Sequence, residues 1–202
     1  MNKILMGLLA LLLVGGGWWL GQERKGGTVA VAGEAKKMVV PTSFSLVVSK
    51  VNAGEELTSV LSQSEMVVAK LEETVKRLMG EGVELDKGFN QISPQTSGGY
   101  LVGNALGIKS NQIGKLRELV KELYISGAST VSSPTWEIDK KIEEIMRNEA
   151  FILAKAKAME VGRSGGKRLG KIISISDEPV QFSGNPERLS GTKKLTVIFE
   201  IR

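Results

Sequence analysis

Residues 162–168 read Gly-Arg-Ser-Gly-Gly-Lys-Arg, and glycine-rich loops ending in lysine cradle phosphates through their backbone N–H groups. The spacing argues against that chemistry. Val161 stands where the first glycine of a phosphate loop belongs, and Arg168 where the Ser or Thr after the lysine belongs. The stretch also follows a helical pattern and leads into a strand, the reverse of the order that aims a helix N-terminus at a phosphate. Its glycines read instead as the stop of a helix. What remains is charge: Lys155, Lys157, Arg163, Lys167, Arg168 and Lys171 stand against Glu160. Part of this run complements a helix C-terminus. Arg163, Lys167, Arg168 and Lys171 are the residues that would meet an anionic small molecule or a lipid headgroup. No aromatic side chain interleaves with them to stack bases, so no nucleic acid partner is expected.

The other chemistry-bearing groups are carboxylates. Glu55-Glu56, Glu72-Glu73 and Glu143-Glu144 are adjacent pairs, and neighbours on a helix point about 100° apart, so none makes a facing acid/base dyad. Glu149, near an apolar helix face, reads as a salt-bridging boundary residue, and Trp136 as a core or interface residue. The 202 residues contain no His and no Cys. Disulfides, thiolate zinc sites, iron–sulfur clusters, Cys nucleophiles, Ser–His–Asp chemistry and His-ligated metals are thereby excluded. No catalytic residue, cofactor or metal ligand is assigned, and a hydrolase built on Lys or Glu is the last of the alternatives. With 42% hydrophobic and 24% charged residues and a net charge of +5, the chain has material for a packed core.

Patterning supplies the elements that must position these groups. Residues 28–32 (TVAVA), extending through 38–40, and 44–51 (FSLVVSKV) are β-prone. Leu57, Val60, Leu61, Val67, Val68, Leu71, Val75 and Leu78 recur at three- and four-residue steps, predicting an amphipathic helix that Gly80 stops. Two extended segments, 83–93 and 100–109, flank a turn at 94–99. A second helix over 111–124 is capped by Ser110 or Asn111 and ended by Gly127, and 130–138 is a strand. A third helix, 139–161, shows Ile142, Ile145, Met146, Ile152, Leu153, Ala156 and Met159 on one face, with Ala150, Ala154 and Ala158 as a row of small residues for close packing. Strands 170–176 and 194–201 close the chain, and 183–191 between them reads as a polar, mobile loop. The order β-β-α-β-β-α-β-α-β-β predicts an α+β fold, a mostly antiparallel sheet with about three helices packed on it.

Ahead of this body stands an apolar run, residues 4–20, with Lys3 before it and Glu23, Arg24 and Lys25 after it. At 1.5 Å per residue it makes about 25 Å of helix, short against a ~30 Å hydrocarbon core. Trp18 and Trp19 fall where an interfacial aromatic belt belongs, and no small-x-small cleavage site closes the run. Residues 1–21 therefore read as an uncleaved single-pass anchor, with a removed signal peptide as the alternative. Residues 22–27 are a linker and 28–202 one domain.

The segments together resemble the SIMPL domain, a family of bacterial periplasmic and cell-envelope proteins linked to oxidative-stress defence. Residues 28–51 are similar to its opening strands, where a V-x-G-x-G start leads through a proline, although Glu34-Ala35 replaces the second glycine. Gly82-Val83, Ser93-Pro94 before Gly99-Tyr100, Ile113-Gly114-Lys115-Leu116 and Gly127-Ala128 continue the likeness. Residues 150–177, with their Ala and Lys row and the pattern G-x-x-L-G-x-x-x-x-I-S, resemble the family's close. The resemblance implies no catalytic residues to carry over. It implies a domain facing outward from the cell membrane behind a signal or anchor, and homo-oligomers, since some relatives are thought to form rings or channel-like assemblies. The expectation is a non-enzymatic, membrane-anchored envelope protein that self-associates or binds envelope partners, with stress response as its setting. The alternative is a binder of an anionic small molecule or lipid headgroup through 163–171.

Overall fold

The computed structural model describes residues 27–88, 90–96 and 98–202. The expected anchor over 1–21 and most of the linker lie outside the described residues. No helix among the described residues is long and apolar enough to cross a membrane.

Strand β1 (Gly27–Val39) runs into β2 (Pro41–Gly54) with only Val40 between them. Pro41 donates no hydrogen bond and holds the residue before it extended, so the chain changes sheets here without a hairpin. Helix α1 (Leu57–Met79) follows, then β3 (Glu84–Lys87), β4 (Gln91–Pro94) and β5 (Tyr100–Ser110). After a short 3₁₀ turn come α2 (Leu116–Ile125), β6 (Thr130–Val131), β7 (Thr135–Ile138), α3 (Lys140–Ser164), β8 (Leu169–Asp177), β9 (Gln181–Ser183) and β10 (Leu189–Ile201).

The α+β class and three helices are as expected, but the single sheet is two. In the first, β10 pairs antiparallel with β1 along its whole length, from Gly27↔Ile201 to Val39↔Leu189. Its other edge is shared by β8 and β9. In the second, β2 and β5 pair antiparallel from Phe44↔Ser110 to Gly54↔Tyr100, with β3 and β4 outside β5, and β6 and β7 outside β2. The first strand therefore finds its partner at the far end of the sequence, which local pattern does not reveal.

Residues 183–191 are also corrected. Gln181 pairs with Thr192 in β9, Asn185 Oδ1 accepts the Arg188 N–H at 2.9 Å, and Leu189 already begins β10. The segment is a capped turn between two strands.

Helix α1 packs on β2 and β5, and α3 on β1 and β10. One core joins them, holding Phe44, Leu106, Ile108, Leu71, Leu119 and Leu123 on one side and Met146, Leu195, Val197 and Phe199 on the other. Each such residue contributes about 2 kcal/mol relative to exposure. Trp136 is 8% exposed and meets Phe44 edge-to-face at 6.4 Å, the core role expected of it.

The third helix packs through its expected row of small residues, and of its expected large apolar face Met146 alone is fully buried. Met146, Ala150, Ala154, Ala158 and Gly162 are its buried residues, whereas Ile142, Ile145, Ile152, Leu153 and Met159 are exposed. Small residues every fourth position let the helix backbone settle onto β1, where large side chains would hold it off. A helix apolar on two sides leaves periodicity unable to choose between them.

Candidate functional site

The basic stretch is built by the end of α3 and the start of β8. Gly166 adopts φ +65°, the Lys167 N–H donates to the Gly162 carbonyl at 2.8 Å, and the helix is closed as a cap rather than opened as a phosphate loop. Arg168 and Arg202 then exchange two backbone hydrogen bonds, at 2.7 and 2.9 Å, and Leu169 pairs with Ile201. Arg163, Lys167, Arg168 and Lys171 are all exposed on this end of the first sheet. Arg202 joins them through strand pairing, an addition no local pattern could supply. Its hydrogen bond to Glu200, at 3.1 Å, holds that carboxyl below its ordinary range, helped by the nearby Lys171 charge. Arg163, Lys167 and Arg168 form no ion pair among the described residues. Lys157 is turned aside, donating to the Ala32 carbonyl at 3.0 Å.

Beside this end lies an apolar surface. Ile145, Ile152 and Met159 fall in one stripe along α3, with Ile152 64% exposed. β8 carries Ile172, Ile173 and Ile175, all exposed. Gly33 faces α3 and pairs with Leu195, so the matched Val197 and its partner Ile175 lie on the sheet face that α3 covers. Among the described residues β8 is hydrogen-bonded on one edge alone, to β10. A register shift opposite Ile198 and Phe199 marks a bulge in it. An apolar strand with an open edge is a template for pairing with another chain.

Several charged residues elsewhere are engaged in holding the fold. Lys193, 4% exposed in its side chain, donates to Asp177 at 2.7 Å and Glu143 at 3.0 Å, while Arg147 meets Asp177 at 3.1 Å. Burial opposes the Lys193 charge, but these two carboxylates outweigh it and hold its pKa above the ordinary lysine value. A lysine acting as base or nucleophile needs the opposite shift. No local pattern marks this group, because Lys193 sits in an ordinary alternating strand. Glu149 pairs with Lys37 at 2.5 Å, as a boundary residue should. Glu72 meets Lys87 at 2.6 Å and Glu56 accepts from Thr58 Oγ1 at 2.6 Å.

A cleft of about 190 Å³ between α1 and β5 is lined by Glu65, Glu72, Lys87 and Asn104. Asn104 Nδ2 donates to Ser64 Oγ inside it, and the Asn104 Oδ1 has no partner among the described residues. No cluster of three or more Asp or Glu is placed to hold a metal ion among the described residues. The surfaces offered for recognition include the outer face of α3, the open edge of β8 and the basic end of the first sheet.

The family described as SIMPL, Protein of unknown function (DUF541), matches residues 29–195. No curated protein matches the chain.

Proposed function

The chain belongs to the SIMPL family, and we propose that it is a non-enzymatic, single-pass membrane protein of the cell envelope that works by association. Its domain faces outward and binds further copies of itself or other envelope proteins, in the setting of stress defence that the family resemblance suggests. Two observations carry this reading, the open edge of the isoleucine-bearing β8 and, separately, the exposed isoleucines on the outer side of α3. Exposed apolar patches of this kind mark protein contacts more often than chance surface. The apolar run 4–20 supports the anchor, and the lack of His and Cys narrows what catalysis the chain could perform.

Because the chain has no cysteine, a single one can be introduced as a probe. Ile173→Cys in β8 is expected to give a covalent dimer when membranes carrying the full chain are oxidised, while Ile92→Cys on β4, also exposed, is expected to give none. Equal crosslinking from both positions, or none from Ile173→Cys, overturns association through this edge.

A further inference from the structure

β1 begins at Gly27, and Gly27 pairs with Ile201, which on its other side pairs with Leu169. Arg168 is hydrogen-bonded to Arg202, and the Lys167 N–H to Gly162 at the end of α3. The place where the chain enters the domain, the end of α3, the basic loop and residue 202 thus share one end of the first sheet. Five basic residues gather there, Arg163, Lys167, Arg168, Lys171 and Arg202. Glu160 and Glu200 are the acids beside them, and Arg202 already holds Glu200. Met159 and Val161, both about half exposed, add apolar surface to the last turn of the helix.

Chain length restricts what this end can face. Five residues, 22–26, separate Gly27 from the segment that the sequence assigns to the membrane. Fully extended they reach at most about 18 Å. β1 has 13 residues and is about 43 Å long. A tether that short keeps the Gly27 end near the bilayer and leaves the Val39 end out of reach of it. Arg24 and Lys25 in the tether outnumber Glu23 and carry the same sign as the basic end.

We propose that this end of the first sheet is a headgroup-binding face, with Arg163, Lys167, Arg168, Lys171 and Arg202 resting on an anionic bilayer surface. The inference rests on the anchor reading above and gives it a direction. The exposed charges suit a headgroup layer, where each Lys or Arg near the surface strengthens contact about fivefold and acts within a Debye length. α3 ends at the bilayer in this arrangement. Its isoleucine stripe then runs away from the surface and stays open to lateral neighbours.

The test compares hydrogen exchange of the full chain in nanodiscs of phosphatidylcholine alone with discs that also contain phosphatidylglycerol. Amides of residues 163–171 are expected to exchange several-fold more slowly in the anionic discs, and high salt is expected to remove the difference. A variant carrying Arg163→Gln, Lys167→Gln, Arg168→Gln and Lys171→Gln is expected to show no lipid dependence. Equal exchange of the wild-type chain in both discs overturns the headgroup contact, as does a lipid dependence that survives in the variant. Flotation separates this from the anchor reading. A chain that floats with phosphatidylcholine vesicles after a high-salt wash supports the anchor whatever the exchange shows. Salt-sensitive flotation with phosphatidylglycerol vesicles alone overturns the anchor and keeps the headgroup contact. Flotation with neither overturns both.

Discussion

Gly33 in β1 lies directly beneath Ala150 in α3: a Cβ at position 33 would fall 1.8 Å from the Ala150 carbonyl oxygen and 2.7 Å from the Ala154 nitrogen. Backbone meets backbone here, and no side-chain rotation can relieve the overlap. This contact sets how close the helix sits on the first sheet, and with it which side of α3 faces outward.

Gly33→Ala is therefore expected to cost about 3 kcal/mol or more, because α3 must lift from the sheet. Gly114→Ala, where an added Cβ meets nothing within 4 Å, is expected to stay within about 0.5 kcal/mol of the parent. Denaturant midpoints of the two variants, measured side by side, check the contrast.

The same contact sorts substitutions along α3. Ala154→Leu forces a branched side chain into a fully buried site and is expected to destabilise by about 1–3 kcal/mol. Ile152→Glu, on the exposed stripe, is expected to leave the unfolding midpoint nearly unchanged at dilutions where the parent domain is monomeric. Thermal unfolding followed by circular dichroism distinguishes them.

Much of this architecture is legible from residue order, and the misses have physical causes. The spacing predicts the third helix over 139–161, and the Asp139 carboxylate caps it by accepting the Lys141 N–H at 2.7 Å. The Ala row is legible as a close-packing side, but the exposure of the Ile stripe is not, since both are apolar and only the Gly33 contact decides between them. Strand 130–138 divides into β6 and β7 around Pro134, and 83–93 into β3 and β4 after Gly88. The division into two sheets needed the pairing of β1 with β10, across the whole sequence. For the same reason the basic residues could be seen as a run, but Arg202 and the nearness of Gly27 could not.

Lys193 makes a prediction at alkaline pH. Its folded pKa is raised, so the stability it contributes is fully present below the ordinary lysine value and is lost as pH rises through the higher folded one. Lys193→Met fills the buried space, leaves Asp177 with Arg147, and is expected to stay within about 1 kcal/mol at neutral pH while losing that alkaline limb. Lys193→Glu sets a third carboxylate against Glu143 and Asp177 and is expected to cost about 3–5 kcal/mol. Unfolding midpoints measured across alkaline pH test all three statements.

At the acid end the corresponding group is Glu137. Hydrogen bonds from Lys109 Nζ at 2.6 Å and Ser43 Oγ at 2.7 Å lower its pKa. Its contribution is present above the ordinary carboxylate range and lost as pH falls through the lower folded value. The carboxylate is half exposed, so Glu137→Gln is expected to remove only about 0.5 kcal/mol near neutral pH and to flatten the acid limb. Urea midpoints from acid to neutral pH, compared with the parent, measure it.

Association through α3 and β8 is read from the mass in solution of residues 22–202. Light scattering after gel filtration is expected to give one discrete multimer for the parent and a folded monomer for Ile152→Glu. A parent that stays monomeric at every concentration contradicts association by the domain itself, and an Ile152→Glu variant that assembles like the parent contradicts its route through α3.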